Sequence, residues 1–276
     1  MARFSPERAV SREKRIKYTS TLGSHKASGV TIKSAGELDH MREAGRVVSV
    51  AKSRVMEAIE PGVTTVELDR IAEKAIRKLG AIPSFKGLYG FPATICTSLN
   101  EQIVHGIPSK RTLKSGDILS IDIGAIVGGF HSDSAFTVGV GKITEEQQRL
   151  IDDTRESLRL GIEQARSGSR VGDISAAVQG YAEARGYGVV RQYVGHGIGR
   201  DLHEEPQVPN YGVAGRGQLL RDGMTIAIEP MLNLGTWETS LLDDGWTVVT
   251  ADGALSAHFE DTVAITNSGA EVLSAR

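Results

Sequence analysis

The stretch GDILSIDIGAIVGGFHSDSAFTV, residues 116–138, decides the fold. Read at period two, it puts Ile118, Ser120 and Asp122 on one face of a strand and Leu119, Ile121 and Ile123 on the other. Asp122 therefore stands among residues that should be buried. The segment AIVGGFH offers a hairpin turn back into a second strand carrying Asp133. A turn on Val127 and Gly128 sets Asp122 directly opposite Asp133, and a turn one residue later leaves the two diagonal. The pattern then recurs in the second half of the chain. Gly223 is followed by MTIAIE ending at Glu229, six residues past the glycine, as Asp122 lies six past Gly116. Farther on, AHFEDTVAI carries Glu260 two residues after His258, as Asp133 follows His131.

Four carboxylates at matching points of a duplicated strand pattern, with no lysine or arginine beside them in sequence, need a counter-charge. Directly opposed side chains have Cβ atoms about 5 Å apart, where like charges destabilise a sheet. An uncompensated buried carboxylate costs several kcal/mol or takes up a proton. Two divalent cations would balance four negative charges, and ions about 3.5–4 Å apart form the two-metal arrangement that activates water for hydrolysis. The nitrogen ligand easiest to find is His196 in VGHGIG, where glycines on both sides let the backbone come close. The bland alternative, acids that cap turns or pair with distant arginines, suits any one of the four better than the set.

The helical signals repeat as well. PGVTTVELDRIAEKAIRKLG has a capping box at Thr64 and Glu67 and closes on Gly80, and SGSRVGDISAAVQGYAEARG runs likewise from Gly168 to Gly186. Each follows another helical pattern, over residues 36–59 and 145–166. The order helix, helix, strands occurs twice, which predicts an α+β fold of two halves related by a pseudo-twofold axis, antiparallel sheets inside and helices outside.

Composition fits a globular enzyme: 276 residues, 40% hydrophobic and 24% charged, with net charge −2 and no general case for DNA binding. A single cysteine, Cys96, excludes a disulfide framework and a cysteine-rich zinc site. No apolar run suits a membrane span or a signal core, so the expected location is the cytoplasm. The charge is uneven: residues 1–33 hold eight Lys or Arg against two Glu, and the remainder 24 against 32. Residues 1–31 read as a basic, flexible extension that could touch ribosomal RNA or another polyanion, and residues 32–276 as a single catalytic domain.

GFPATICTSLNEQIVHGIP, SIDIGAIVGGFHSDSAFTVG, GHGIGRDLHEEP, IEPM, DGWTV and SAHFEDTVAIT, in this order, closely resemble type I methionine aminopeptidases of the pita-bread fold. The resemblance runs from about Ile32 to Leu273. It implies metal ligands Asp122, Asp133, His196, Glu229 and Glu260, two divalent ions per chain drawn from Mn, Fe, Co or Zn, and nascent polypeptide N-termini as substrate. It further implies that a water bridging the ions attacks the carbonyl after the initiator methionine when the second residue is small. Glu229 would shuttle the proton. His203 would steady the developing alkoxide, and His105 would hold the scissile amide. The methionine pocket would be lined by Phe85, Leu88, Phe91, Cys96, Leu202 and Trp246. Leu88 stands where the family commonly has tyrosine and Leu202 where it often has phenylalanine, so the wall stays apolar with less aromatic contact.

Only 33 positions separate His196 from Glu229, too few for the helical subdomain that type II enzymes insert. The amino-terminal domain usual in Xaa-Pro peptidases and creatinases is lacking, although an Xaa-Pro aminopeptidase would use the same metals. A metal-free binding module on the same fold would have lost ligands, and all five are present.

Overall fold

Polar side chains at matching positions start the helices. The computed structural model describes residues 29–274. Helix α1 (Ala35–Glu57) is opened by a capping box between Ser34 and Glu37, and α2 (Thr65–Lys78) by one between Thr64 and Glu67, as the sequence predicts. In the second half α3 (Glu145–Gln164) starts at a Thr144–Gln147 box. Helix α4 (Val171–Glu183) follows Arg170, whose N–H is accepted by Asp173 at 2.7 Å. Met41, Ala44, Val48, Ala51 and Val55 of α1 are buried, as their spacing requires. The helix stops short of residue 59 because Pro61 disfavours the α region for Glu60. The helices pair within their own halves, α1 with α2 and α3 with α4.

A nine-stranded antiparallel sheet runs through both halves. Six of its strands carry the site: β1 (Ile95–Leu99), β2 (Ile118–Val127), β3 (Phe130–Gly139), β4 (Gly195–Gly197), β5 (Thr225–Ile228) and β6 (Glu260–Thr266). In spatial order β1 lies on β2, followed by β3, β6, β5 and β4. The β2–β3 turn falls on Gly128 and Gly129, at φ 57° and 81°, with Val127 paired to Phe130. Both central residues of such a turn need positive φ, which valine resists, so the diagonal alternative is the one adopted. Asp122 pairs with Ala135, and Asp133 with Gly124.

The halves meet where β3 pairs with β6 over Glu260–Ala135 and Asp261–Ser134. Thr262 stitches this short seam, its hydroxyl accepting the Asp133 N–H at 2.9 Å and donating to the Asp133 carbonyl at 2.8 Å. Apolar side chains of both halves, including Ile121, Ile123, Ile226, Ile228 and Val263, form one continuous core. The basic extension expected over residues 1–31 lies outside the described residues except at its last three positions. Among the described residues no helix is long and apolar enough to cross a membrane.

Two helical glycines differ in what a methyl group would meet. At Gly45 in α1 a Cβ would lie 1.9 Å from the Leu273 carbonyl oxygen, whereas at Gly180 in α4 nothing lies within 4 Å. Gly45→Ala should therefore lower stability by about 3 kcal/mol through overpacking. Gly180→Ala should raise it by about 0.5–1 kcal/mol by restricting the unfolded chain. Urea unfolding midpoints of the two variants check the opposite signs.

Candidate metal centre

The β3–β6 seam, the middle of β2 and the end of β5 bring four acids together. Asp133 and Glu260 sit deepest, 4% and 2% exposed, and Asp122 and Glu229 stand on the more open side. One ligand atom each of Asp133, His196 and Glu260 lies within 4.8 Å of the others, a spacing suited to a metal ion. His196 Nε2 is 3.6 Å from Glu229 Oε1, and Asp122 lies close enough to Asp133 for its charge to act there. The five residues singled out from the sequence are thus drawn into one cluster. Among the described residues the basic side chains within 4.0 Å of these acids are the histidines His196 and His258, and no lysine or arginine comes that close.

Such a cluster is electrostatically uncomfortable. Burial, then the charge of Asp122, holds Asp133 well above the ordinary carboxylate range. Glu260 is held up likewise by burial and then by Asp133, and Glu229 by burial and then by Asp122. Asp122 is pushed up to about 7, chiefly by burial. Asp122 Oδ1 and Glu260 Oε1 are buried with no hydrogen-bond donor. Burial, and then His203, depresses His196 to about 3, so its ring is neutral. Its Nδ1 lies 2.9 Å from the Gly197 carbonyl. A carbonyl can only accept, so Nδ1 carries the proton and Nε2 presents its lone pair to the acids. Orphaned carboxylate oxygens beside a lone-pair nitrogen fit divalent cations, which accept oxygen-rich sites with one imidazole.

The remaining expected residues surround this cluster. The His203 ring lies 4.5 Å from that of His196, edge to face. His105 sits at φ 60°, half-buried against Tyr193, with its pKa lowered to about 4 by loss of water and then by His203. Phe85, Phe91, Cys96 and Leu202 belong to one buried apolar cluster, with Leu88 and Trp246 packed against it. Phe91 and Trp246 meet edge to face at 5.0 Å. Cys96 pairs with Asp122 across β1 and β2, so this apolar wall adjoins the acids. Burial, then the charge of Asp122, raises the Cys96 thiol well above its ordinary value and keeps it a wall rather than a nucleophile.

Two neighbours were not picked out from the sequence. His258 is 1% exposed, and its Nε2 lies 3.7 Å from Glu229 Oε2. Its place two residues before Glu260 was the available signal. Tyr89, 60% exposed at φ 51°, lies roughly parallel to His203 with ring centres 6.5 Å apart. Nothing in the residue pattern marked it.

The sequence profile of metallopeptidase family M24 matches residues 39–267, and the chain belongs to this family. Its architecture is the pita-bread fold of that family. A methionine aminopeptidase of Clostridium perfringens is 55% identical over 244 residues, covering 88% of this chain and 98% of that protein. Methionine aminopeptidase 1 of Bacillus subtilis is 52% identical over the same shares of the two chains. The crystal structure of a methionine aminopeptidase from Thermotoga maritima superposes with a TM-score of 0.89 at 44% identity, covering 90% of this chain and all of that one.

The cluster sets the pH dependence of the metal-free protein. Acids whose folded pKa is raised stabilise at low pH and lose that contribution as pH rises through the folded value; buried neutral histidines do the opposite below their unfolded value. Up to pH 6.5, the ordinary histidine value, the depressed His105, His131, His196 and His258 oppose the four acids. Above it the acids act alone, through Asp122 at about 7 and beyond. Chelator-treated protein should lose stability as pH rises above 6.5, and saturating Mn²⁺ should abolish that slope. Urea unfolding midpoints across this range, with and without metal, provide the check.

Proposed function

We propose that this chain removes the initiator methionine from nascent proteins whose second residue is small, using two divalent ions held by Asp122, Asp133, His196, Glu229 and Glu260. The observation that carries the proposal is the convergence of these five residues beside the apolar wall of Phe85, Leu88, Phe91, Cys96, Leu202 and Trp246. Activation of water and polarisation of a carbonyl are the chemistry such ions supply. The names of the relatives support methionine as the residue removed.

The chain's own residues do the rest. The apolar wall takes an unbranched thioether side chain out of water, favourable by about 1.5–3 kcal/mol for a fully buried side chain. Glu229, on the more open side of the cluster, takes the proton of the attacking water and passes it to the departing amine. His203, neutral because burial lowers its pKa, donates one N–H to the carbonyl oxygen as charge develops there. His105, neutral for the same reason, holds the scissile amide and so fixes where the new amino terminus forms. Nascent chains in the cytoplasm are the proposed substrates, with the basic residues 1–31 touching the ribosome. Ribosome co-sedimentation that stays unchanged and salt-insensitive after deletion of residues 1–30 would remove that contact.

Metal analysis of protein purified without added cations should find about two divalent ions per chain. Met-Ala-Ser should be hydrolysed and Ala-Pro-Ala left intact; the reverse preference would assign the site to an Xaa-Pro peptidase. Glu229→Ala should lose both turnover and metal, since one carboxylate serves both, and a near-normal rate in that variant contradicts the assignment.

A further inference from the structure

Lys33 lies just ahead of α1, apart from the metal centre, yet it is only 7% exposed. Its Nζ donates to Glu204 Oε2 at 2.6 Å and also to the Thr31 hydroxyl, which itself donates to the same Glu204 oxygen at 2.6 Å. Glu204 Oε1 accepts the Asp201 N–H at 3.3 Å. The pair is wedged under the backbone of the loop: a Cβ on Gly199 would lie 2.5 Å from Glu204 Oε1 and 2.6 Å from Lys33 Cε. Gly199 in turn accepts the His131 N–H of β3 at 2.8 Å, and the Lys33 N–H donates to Gly223, just before β5, at 2.8 Å.

Glu204 directly follows His203. Its carboxylate is pushed up by burial, but the Lys33 and Thr31 hydrogen bonds outweigh that and hold it ionised, below its ordinary value. A buried ion pair is weak as a source of stability, because desolvation offsets most of the attraction; its geometric demand is strict. Here that demand falls on the loop Gly199–Glu204, which carries both Leu202 of the apolar wall and His203.

We propose that Lys33 is a positioning residue for His203: its ammonium, clamped on Glu204, fixes the loop so that the His203 ring stays against His196 and in reach of the substrate carbonyl. The inference rests on the role given to His203 above. The tests therefore include His203→Ala, and they use the full chain with Mn²⁺ and Met-Ala-Ser.

Lys33→Met should lower kcat by about 10- to 100-fold, the scale of a displacement near 1 Å at a catalytic group, with KM within about twofold. Mn²⁺ affinity measured by titration calorimetry should be unchanged, because no ligand of the metal centre touches Lys33. Adding Glu204→Gln should recover part of the rate by removing the stranded charge. Lys33→Met and His203→Ala should combine far less than multiplicatively, because both remove the same interaction. A kcat within twofold of the parent, multiplicative combination, or an equal fall in Mn²⁺ affinity would overturn the proposal. An unchanged kcat in His203→Ala would strike the role of His203 itself and the proposal with it. Should Lys33→Met fail to fold, Thr31→Val removes one neutral donor from Glu204 and should show the same pattern at about threefold; unchanged kcat there would likewise overturn it.

Discussion

Mutual repulsion among Asp122, Asp133, Glu229 and Glu260 is the constraint around which the molecule is arranged. Each acid is held above its ordinary pKa, first by loss of water and then, for all but Asp122, by the charge of its neighbours. Left to itself such a group would be expelled from a core. The fold keeps it by fixing two acids on strands that pair across the seam, Asp122 within β2 and Glu229 one residue past the end of β5. Thr262, bonded twice to the backbone of Asp133, shows how firmly the deepest pair is held.

The same constraint explains the surrounding histidines. An imidazole buried among carboxylates could have become a cation and neutralised them, yet His196 and His258 are both depressed to about 3. Desolvation acts on the imidazolium as it does on the carboxylate, so the cluster cannot solve its charge problem with its own side chains. Neutral rings with directed lone pairs and basic carboxylates are instead a donor set, and Lewis-acidic cations are what it suits.

Much of this was legible in residue order. The two glycine-to-acid spacings, the paired capping boxes and the alternation around Asp122 placed the acids on inward strands in two halves, and the fold has that form. The β2–β3 register was not settled by alternation, because a one-residue shift of the turn keeps both strands apolar inside. The left-handed backbone at Gly128 and Gly129 decides it. Tyr89 and Lys33 stayed hidden for another reason. Each matters through a neighbour remote in sequence, as Lys33 does through Glu204 across 171 positions, and no local pattern records such a meeting.

The ends of the described chain are exchanged between the halves. Thr31 and Lys33 fasten onto the second half, and Leu273 lies against Gly45 in the first while Ser274 bonds Thr262 and Asp261 beside the seam. Synthesis runs from one end to the other, so a polypeptide that has emerged only as far as β3 displays Asp122 and Asp133 without Glu229, Glu260 or His196. It has half a cage and no clasp. All five side chains are therefore on hand only after Glu260 has been made, and residues 273 and 274 then pack against a helix made at the start and against the seam.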